Sequence, residues 1–280
     1  MNWFRYVVAD VFTDTPLEGN QVAVFTDARE LPEDKLQQIA REMNLSETVF
    51  VYKPEGEGHA RIRIFTPTIE MQFAGHPTLG TAFVLSGPLS LEEIRLETLR
   101  GVVPVRLERE EGRIVFGRME QPLPTIEPYE NETELFEVLG VEGSELPVEV
   151  YDNGVKHLYV TLGTLDEVAA LSPDLRRLGE QPALCFNCFA GEGRNWKTRM
   201  FAPSSGVAED PATGSAAGPL AVHLARHGRI GFGEEIEISQ GVEVGRPSTL
   251  YARVDGSADD VQRVEVGGSA VIVARGELKV

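Results

Sequence analysis

The sequence reads RIFTP at residues 63–67 and RMFAP at residues 199–203, an offset of 199 − 63 = 136 residues, about half the chain. Each motif precedes a polar loop and then a glycine that opens an apolar helix, Gly75 in the first half and Gly214 in the second, at an offset of 214 − 75 = 139. A weaker match joins GNQVAVF at 19–25 to GVKHLYV at 154–160. Three matches in one order at nearly constant spacing indicate an internal duplication rather than chance similarity.

Each half is predicted to contain several consecutive strands around one long apolar helix. The apolar helices are expected from Pro77 to about residue 85 and over 215–227, and shorter amphipathic helices near 32–43 and 165–178. Runs of strands combined with few helices indicate an α+β fold of two pseudo-symmetric lobes.

The lobe boundaries are predicted from the prolines that lie between the two halves of the chain. The first lobe is placed at 1–118 and the second at 129–269, with the proline-rich stretch 121–128 as the linker between them. The final strand, 270–280, is a candidate addition to the first lobe. Two duplicated lobes are expected to form a cleft, and clefts between domains are preferred ligand sites.

Composition narrows the function classes. The 280 residues include 44 Asp and Glu against 26 Lys and Arg, a net charge of −18, which disfavours nucleic acids and anionic membranes as partners. No stretch approaches the roughly 18 consecutive apolar residues of a membrane span, and the N-terminus lacks the pattern of a signal peptide. A cytoplasmic protein is therefore expected.

Cys185 and Cys188 lie in a strand-like run and point to opposite faces, which favours core thiols over a redox or metal pair.

The two helix starts are candidate anion sites. The first N–H groups of a helix lack acceptors within the helix, so the starts at Gly75 and Gly214 present donors and a positive dipole end. Facing each other, they would hold a carboxylate or stabilise an enolate without a metal. The alternative is that both glycines simply enter tight turns.

Three side chains near these starts are candidates for chemistry. Glu47 lies between a helix and an apolar strand, and a desolvated cleft would raise the pKa of such a carboxyl group toward neutrality, as a general acid/base requires. His76 stands at the start of the first apolar helix, and Asp210 precedes Gly214 by four residues. The alternatives are a solvated glutamate at a strand end and an Asp-Pro turn of purely structural value.

Cofactor and metal motifs are not supported by the sequence. His223 and His227 are spaced i, i+4 but lack the glutamate of a His-Glu-x-x-His motif, and Gly191-Glu-Gly193 lacks the context of a dinucleotide site. We therefore predict no metal and no cofactor.

Taken together, these motifs resemble the phenazine-biosynthesis PhzF-like isomerase family. The resemblance rests on DVF at 10–12 with GNQ at 19–21, SETVF at 46–50, AGHPT at 74–78 and DPATGSA at 210–216, in order along nearly the whole chain. It implies the diaminopimelate-epimerase-like fold, in which each of two lobes wraps a barrel-like, mostly antiparallel sheet around a central helix. It also implies a cofactor-free isomerase, often a homodimer, with a small carboxylate such as a dihydro-hydroxyanthranilate as substrate.

The resemblance also assigns roles residue by residue. Glu47 matches the catalytic acid/base of the family, and His76 and Asp210 match residues that contact the substrate. The surrounding binding shell would comprise four further positions: Ser46, Gly75, Gly214 and Ser215.

The residues alone also permit two other functions. The protein could be a two-base epimerase or racemase, or a carboxylate-binding protein without catalytic activity. The related diaminopimelate epimerases carry a cysteine at each helix start. His76 and Ser215 follow the two glycines in this chain, which excludes two-thiol epimerisation.

Overall fold

The computed structural model describes residues 2–87, 91–181 and 184–280. The chain divides into two compact units. Unit 1 comprises Met1–Glu120 together with Gly267–Val280, and unit 2 comprises Gln121–Val266. The final residues of the chain therefore belong to the same unit as its beginning.

The elements follow one another in an order that repeats. The strands are β1 Trp3–Val11, β2 Asn20–Phe25, β3 Glu47–Tyr52, β4 Ala60–Phe65, β5 Glu70–Met71, β6 Glu93–Thr98, β7 Gly101–Glu110, β8 Arg113–Glu120, β9 Thr125–Pro128, β10 Glu149–Asp152, β11 Lys156–Thr161, β12 Cys185–Glu192, β13 Asn195–Ala202, β14 Val207–Asp210, β15 Glu235–Gln240, β16 Ser248–Gly256, β17 Val261–Gly268 and β18 Ala270–Lys279. The helices are α1 Leu36–Met43, α2 Gly75–Ser86, α3 Glu132–Leu139, α4 Leu165–Ala170, α5 Leu175–Glu180 and α6 Gly214–Arg226, with short 3₁₀ turns at Glu33–Lys35 and Pro203–Ser205.

Unit 1 is a mostly antiparallel sheet interrupted by two parallel pairs. Strand β1 pairs antiparallel with β18 on one side and β2 on the other. Strands β2 and β3 are parallel with α1 between them in sequence, and β4 and β6 are parallel with α2 between them. Because parallel neighbours need a crossover connection, both helices are required by the topology. The antiparallel pairs β3–β4, β6–β7 and β7–β8 complete the unit.

Unit 2 repeats this succession. Strands β11 and β12 are parallel across α4 and α5, and β13 and β15 are parallel across α6. Antiparallel pairs β12–β13 and β15–β16 occupy the places of β3–β4 and β6–β7. The α+β class and the two similar lobes predicted from the repeated motifs are confirmed.

The two repeated helices are buried along nearly their whole length. Only Leu85 in α2 and Arg226 in α6 escape full burial, as expected for helices that are apolar on all sides. Gly80 allows α2 to approach the sheet closely, since a Cβ there would lie 2.7 Å from Val22 Cγ1 and 2.8 Å from Val11 Cγ2. No helix within the described ranges is both long and apolar enough to cross a membrane.

Two hydrophobic clusters lie outside these central helices. In unit 1 the rings of Phe25, Phe50 and Phe65 pack in sequence, with centroids 5.3 and 5.4 Å apart, against α1. In unit 2, α3, α4 and α5 cover the opposite face of β11, β12 and β13 through residues that include Val138, Val168 and Leu178. Each unit therefore buries both faces of its parallel strands.

Two local expectations were wrong, and one helix was missed. The helix expected over 165–178 is two short helices, because Pro173 lies between α4 and α5 and cannot continue the backbone hydrogen bonding. Helix α3 was not anticipated. The stretch 121–128, interpreted as a linker, is strand β9 over its second half, paired antiparallel with β10.

Candidate active site

Glu47 is held at the first residue of a buried strand. Helix α1 ends at Asn44, which adopts φ 50° and donates its N–H to Ala40 O, and the chain then turns through the half-buried Ser46 into β3. The parallel pairing of β2 with β3 places Glu47 opposite Val22. Its side chain is 14% exposed. The carboxylate is therefore partly withdrawn from water and fixed by a rigid element.

His76 in the first turn of α2 lies against this carboxylate. Its Nε2 is 3.0 Å from Glu47 Oε2 and 3.2 Å from Gln21 O, while its Nδ1 is 3.3 Å from Asn20 Nδ2. With an amide nitrogen facing Nδ1 and a carbonyl facing Nε2, the neutral ring carries its proton on Nε2.

The Glu47 carboxylate keeps an oxygen available for chemistry. Gln21 O accepts the Nε2–H of His76, and Glu47 Oε2 has no hydrogen-bond partner among the described residues. A partly buried carboxylate with one unengaged oxygen beside an imidazole can accept a proton and return it.

The helix starts themselves carry no side-chain caps. Ala74 precedes α2 and Thr213 precedes α6, and neither accepts a hydrogen bond from the first turn through its side chain. The first N–H groups, which include those of Gly75 and Gly214, have no acceptor within their own helix. Both starts are therefore able to donate to an anion.

Asp210 is fixed by a hydrogen-bonded turn that leads into α6. Thr213 Oγ1 donates to Asp210 Oδ2 at 2.6 Å, and Gln240 Nε2 donates to Asp210 O at 2.8 Å and to Thr213 Oγ1 at 2.9 Å. Gln240 Oε1 in turn accepts from Thr213 N at 3.0 Å. The Asp-Pro turn anticipated from the sequence is thus present, and Gln240, which sequence reasoning missed, holds it in place.

The first turn of α6 is also held by donors from distant residues. Asn153 Nδ2 donates to Ser215 O at 2.9 Å, and Tyr159 Oη donates to Ala216 O at 2.6 Å. Pro219, four residues after Ser215, has no N–H to give to the Ser215 carbonyl, so the Asn153 amide replaces the missing helical donor. The sequence shows the internal proline that leaves Ser215 O without its helical donor. The residue that replaces this donor, Asn153, lies 62 residues away from Ser215.

Ser215 has a second buried neighbour. His157 Nε2 lies 3.1 Å from Ser215 Oγ, and the His157 side chain is fully buried. Burial lowers the pKa of His157 to about 3, so the ring stays neutral at physiological pH. Sequence reasoning did not single out this histidine, because it is an isolated member of a strand.

A separate ionic cluster lies in unit 2. Glu149 Oε2 is 3.3 Å from His223 Nδ1, 3.0 Å from His227 Nε2 and 3.1 Å from Arg226 Nη1. Burial raises the pKa of Glu149, but hydrogen bonds from both histidines and Tyr151 and the charge of Arg226 together hold it well below its usual range. The ligand atoms of Glu149, His223 and His227 lie within 4.8 Å of one another, yet Arg226 already supplies the positive charge. The cluster is therefore an ion-pair network.

The two cysteines do not form a disulfide with each other. Burial raises the pKa of Cys188 to about 12. Its thiol is therefore neutral and unreactive at physiological pH. A cavity of about 820 Å³, lined partly by Leu139, Glu145 and Glu167, contains none of the predicted site residues.

The predicted residues thus assemble within each unit. Unit 1 brings Glu47 and His76 into contact, and unit 2 holds Asp210 before α6 and Ser215 in its first turn, each by its own set of hydrogen bonds.

Known proteins resemble this chain over nearly its whole length. Residues 9–276 match the family model described as phenazine biosynthesis-like protein. The chain is 53% identical over 272 residues to trans-2,3-dihydro-3-hydroxyanthranilate isomerase of Pseudomonas aeruginosa, covering 97% of this chain and 98% of that protein. A crystal structure of a PhzF-family phenazine biosynthesis protein from Bacillus anthracis superposes with a TM-score of 0.88 at 26% identity, covering 100% of both chains.

A more distant structure shares the fold alone. A hydroxyproline epimerase from Agrobacterium vitis superposes with a TM-score of 0.64 at 13% identity, covering 99% of this chain and 92% of that one. The match to the family model spans nearly the whole chain, and the identity to the Pseudomonas aeruginosa isomerase is far above what a shared fold requires. The chain belongs to the phenazine biosynthesis-like protein family.

Proposed function

We propose that this protein is a cofactor-independent isomerase of trans-2,3-dihydro-3-hydroxyanthranilate or a close analogue. The observation that carries the proposal is the Glu47–His76 contact, in which a largely buried carboxylate keeps one oxygen without a hydrogen-bond partner among the described residues. The 53% identity to an isomerase of that name supports the choice of substrate.

In the proposed mechanism, Glu47 moves one proton between two carbons. Its carboxylate takes a proton from an sp³ carbon, the electron pair of the broken C–H bond shifts the conjugated double bonds, and the resulting carboxylic acid protonates a second carbon. No group is gained or lost, so the product is an isomer. His76 positions the carboxylate and contacts the substrate, with Ser46 beside them in the binding shell.

Recognition of the substrate is assigned to the helix starts and Asp210. In unit 1 the N–H groups at Gly75 suit a carboxylate, and in unit 2 the N–H groups at Gly214 and the hydroxyl of Ser215 do so as well. Asp210 suits a substrate amine or hydroxyl through a charge-assisted hydrogen bond, because its carboxylate is already oriented by Thr213 at 2.6 Å.

The test compares Glu47→Gln with Glu42→Gln, a matched change on the exposed surface of α1 five residues earlier. Purified protein is incubated with trans-2,3-dihydro-3-hydroxyanthranilate, and isomer formation is followed by chromatography with mass detection. We expect Glu47→Gln to lose about 10²- to 10⁴-fold in kcat while ligand binding is retained, because the amide keeps the shape and cannot transfer the proton. Native turnover in Glu47→Gln, or no turnover in the native protein, contradicts the proposal.

Isotope incorporation separates this scheme from a two-base epimerase in which Asp210 is the second base. A single base that carries the proton should return part of the original hydrogen to the product during a single turnover in D₂O. Complete solvent incorporation with inversion at one carbon would instead move Asp210 into a catalytic role. A protein that binds carboxylates without turnover would be a binding protein.

Assembly and location are further parts of the proposal. We infer a homodimer from the family resemblance, to be checked by light scattering on the eluting protein. A cytoplasmic location is inferred from the sequence, which has no stretch apolar enough to span a membrane. Fractionation of the source cells, with a reporter for each compartment, tests it.

A further inference from the structure

We infer that His157 is a positioning residue that donates its Nε2–H to Ser215 Oγ and thereby makes the Ser215 hydroxyl a hydrogen-bond donor toward the substrate carboxylate. The inference deepens the proposed function and rests on it, because it takes Ser215 to be a substrate contact. It rests on the contacts of His157, Ser215 and Asn187 inside unit 2.

The orientation of the Asn187 amide is set by backbone carbonyls. Its Nδ2 lies 2.9 Å from Cys185 O and 3.2 Å from Leu158 O, two atoms that can only accept hydrogen bonds. An amide oxygen in that place would be repelled by both carbonyls. The nitrogen is therefore correctly placed, and the same atom lies 3.4 Å from His157 Nδ1.

This orientation decides the tautomer of His157. A proton on Nδ1 would point at the Asn187 NH₂ group, which has only hydrogens to offer. The single proton of the neutral ring therefore sits on Nε2, which faces Ser215 Oγ at 3.1 Å. Burial lowers the pKa of His157 to about 3, so the ring does not become doubly protonated in the working pH range.

The donor on His157 determines what Ser215 can do. Ser215 Oγ accepts the Nε2–H, so its own hydrogen points away from the imidazole, toward another acceptor. The ring has no lone pair on Nε2 to remove the serine proton, and His157 cannot act as the base of a serine nucleophile. The pair therefore acts in binding, beside the N–H groups at the start of α6.

The register of the strands supplies the rigidity that positioning requires. His157 lies on β11 and Asn187 on the parallel neighbour β12, where Tyr159 is the partner of Asn187. Asn153 Nδ2 donates to Ser215 O at 2.9 Å and so holds the Ser215 backbone in place. The side chains of Asn153, His157 and Asn187 are buried, and apart from the bond of Asn187 to Cys185 O their hydrogen bonds span 29 to 62 residues of sequence.

The first test is a double-mutant cycle on kcat/KM with the substrate named above. We expect Ser215→Ala and His157→Leu each to lower kcat/KM by about 10- to 100-fold, mostly through KM, because each removes the oriented donor to a charged group. The double variant should lose no more than the single ones, and the shape of the pH profile should be unchanged. Losses that multiply in the double variant would overturn the inference.

Two further variants separate positioning from folding. His157→Gln keeps an amide donor and should recover part of the loss seen in His157→Leu. His223→Leu removes another buried histidine of unit 2 that contacts Glu149 rather than Ser215, and should leave kcat/KM near the native value even if it lowers Tm. Equal losses of kcat/KM in His223→Leu and His157→Leu would overturn the positioning role.

A measurement on the native protein is independent of turnover. Imidazole ¹⁵N spectra should show His157 with Nε2 protonated and Nδ1 unprotonated between pH 5 and 8, and Ser215→Ala should shift the Nε2–H signal. The opposite tautomer, or an imidazolium, overturns the inference. If the native protein shows no isomerase activity while the spectra are as expected, the proposed function fails and the His157–Ser215 hydrogen bond stands.

Discussion

Pro219 lies inside α6 and removes one helical hydrogen-bond donor. Pro219 cannot donate to Ser215 O, and the fully buried Asn153 does so instead at 2.9 Å. Asn153→Ala leaves a buried carbonyl without this donor, which costs about 1–3 kcal/mol. In a Pro219→Ala background the helix regains the N–H at that position, so the same substitution should cost less by about 1–2 kcal/mol.

The assay is urea unfolding followed by far-UV circular dichroism for the native protein, the two single variants and the double variant. Gln121→Ala is the matched control, since Gln121 donates to Gly214 O at 2.8 Å, a carbonyl whose helical donor Gly218 is present with or without Pro219. We expect the effects of Asn153→Ala and Pro219→Ala on the free energy of unfolding to be coupled. The effects of Gln121→Ala and Pro219→Ala should be additive. Additivity of Asn153→Ala and Pro219→Ala within about 0.5 kcal/mol would refute the replacement of one donor by the other.

Three other outcomes are expected. The folded-state pKa of His157, about 3, lies below its value of 6.5 when exposed, so stability is full above pH 6.5 and falls as the pH drops toward 3. At pH 4.5 this loss is roughly 3 kcal/mol; urea unfolding curves at several pH values should show it in the native protein and not in His157→Gln. Gly80→Ala should lower the free energy of unfolding by about 1–2 kcal/mol, because overpacking against Val22 at 2.7 Å outweighs the gain in helix propensity, and a raised urea midpoint would contradict this. Cys188 should resist a thiol reagent at pH 8 in the folded protein and react once urea is added, since its thiol is buried with a pKa of about 12; rapid labelling without urea would show an accessible thiolate.

The sequence by itself determined the duplicated architecture. Spacing between repeated motifs is a property of the chain, and an apolar helix after each RxFxP motif must be buried wherever it occurs. Glu47, His76 and Asp210 were identified from motifs of a few residues. The break between α4 and α5 was also present in the sequence, at Pro173, although the helical periodicity on either side concealed it.

Only the tertiary structure decided how the site residues are held. Asn153, His157 and Gln240 contact the start of α6 or the turn before it from 27 to 62 residues away, and isolated polar residues in strands carry no periodic signal of such partners. Their hydrogen bonds depend on strand register, which is set by pairing between distant segments. Local pattern therefore suggested the candidate residues, while long-range pairing determined the hydrogen-bond partners that hold them.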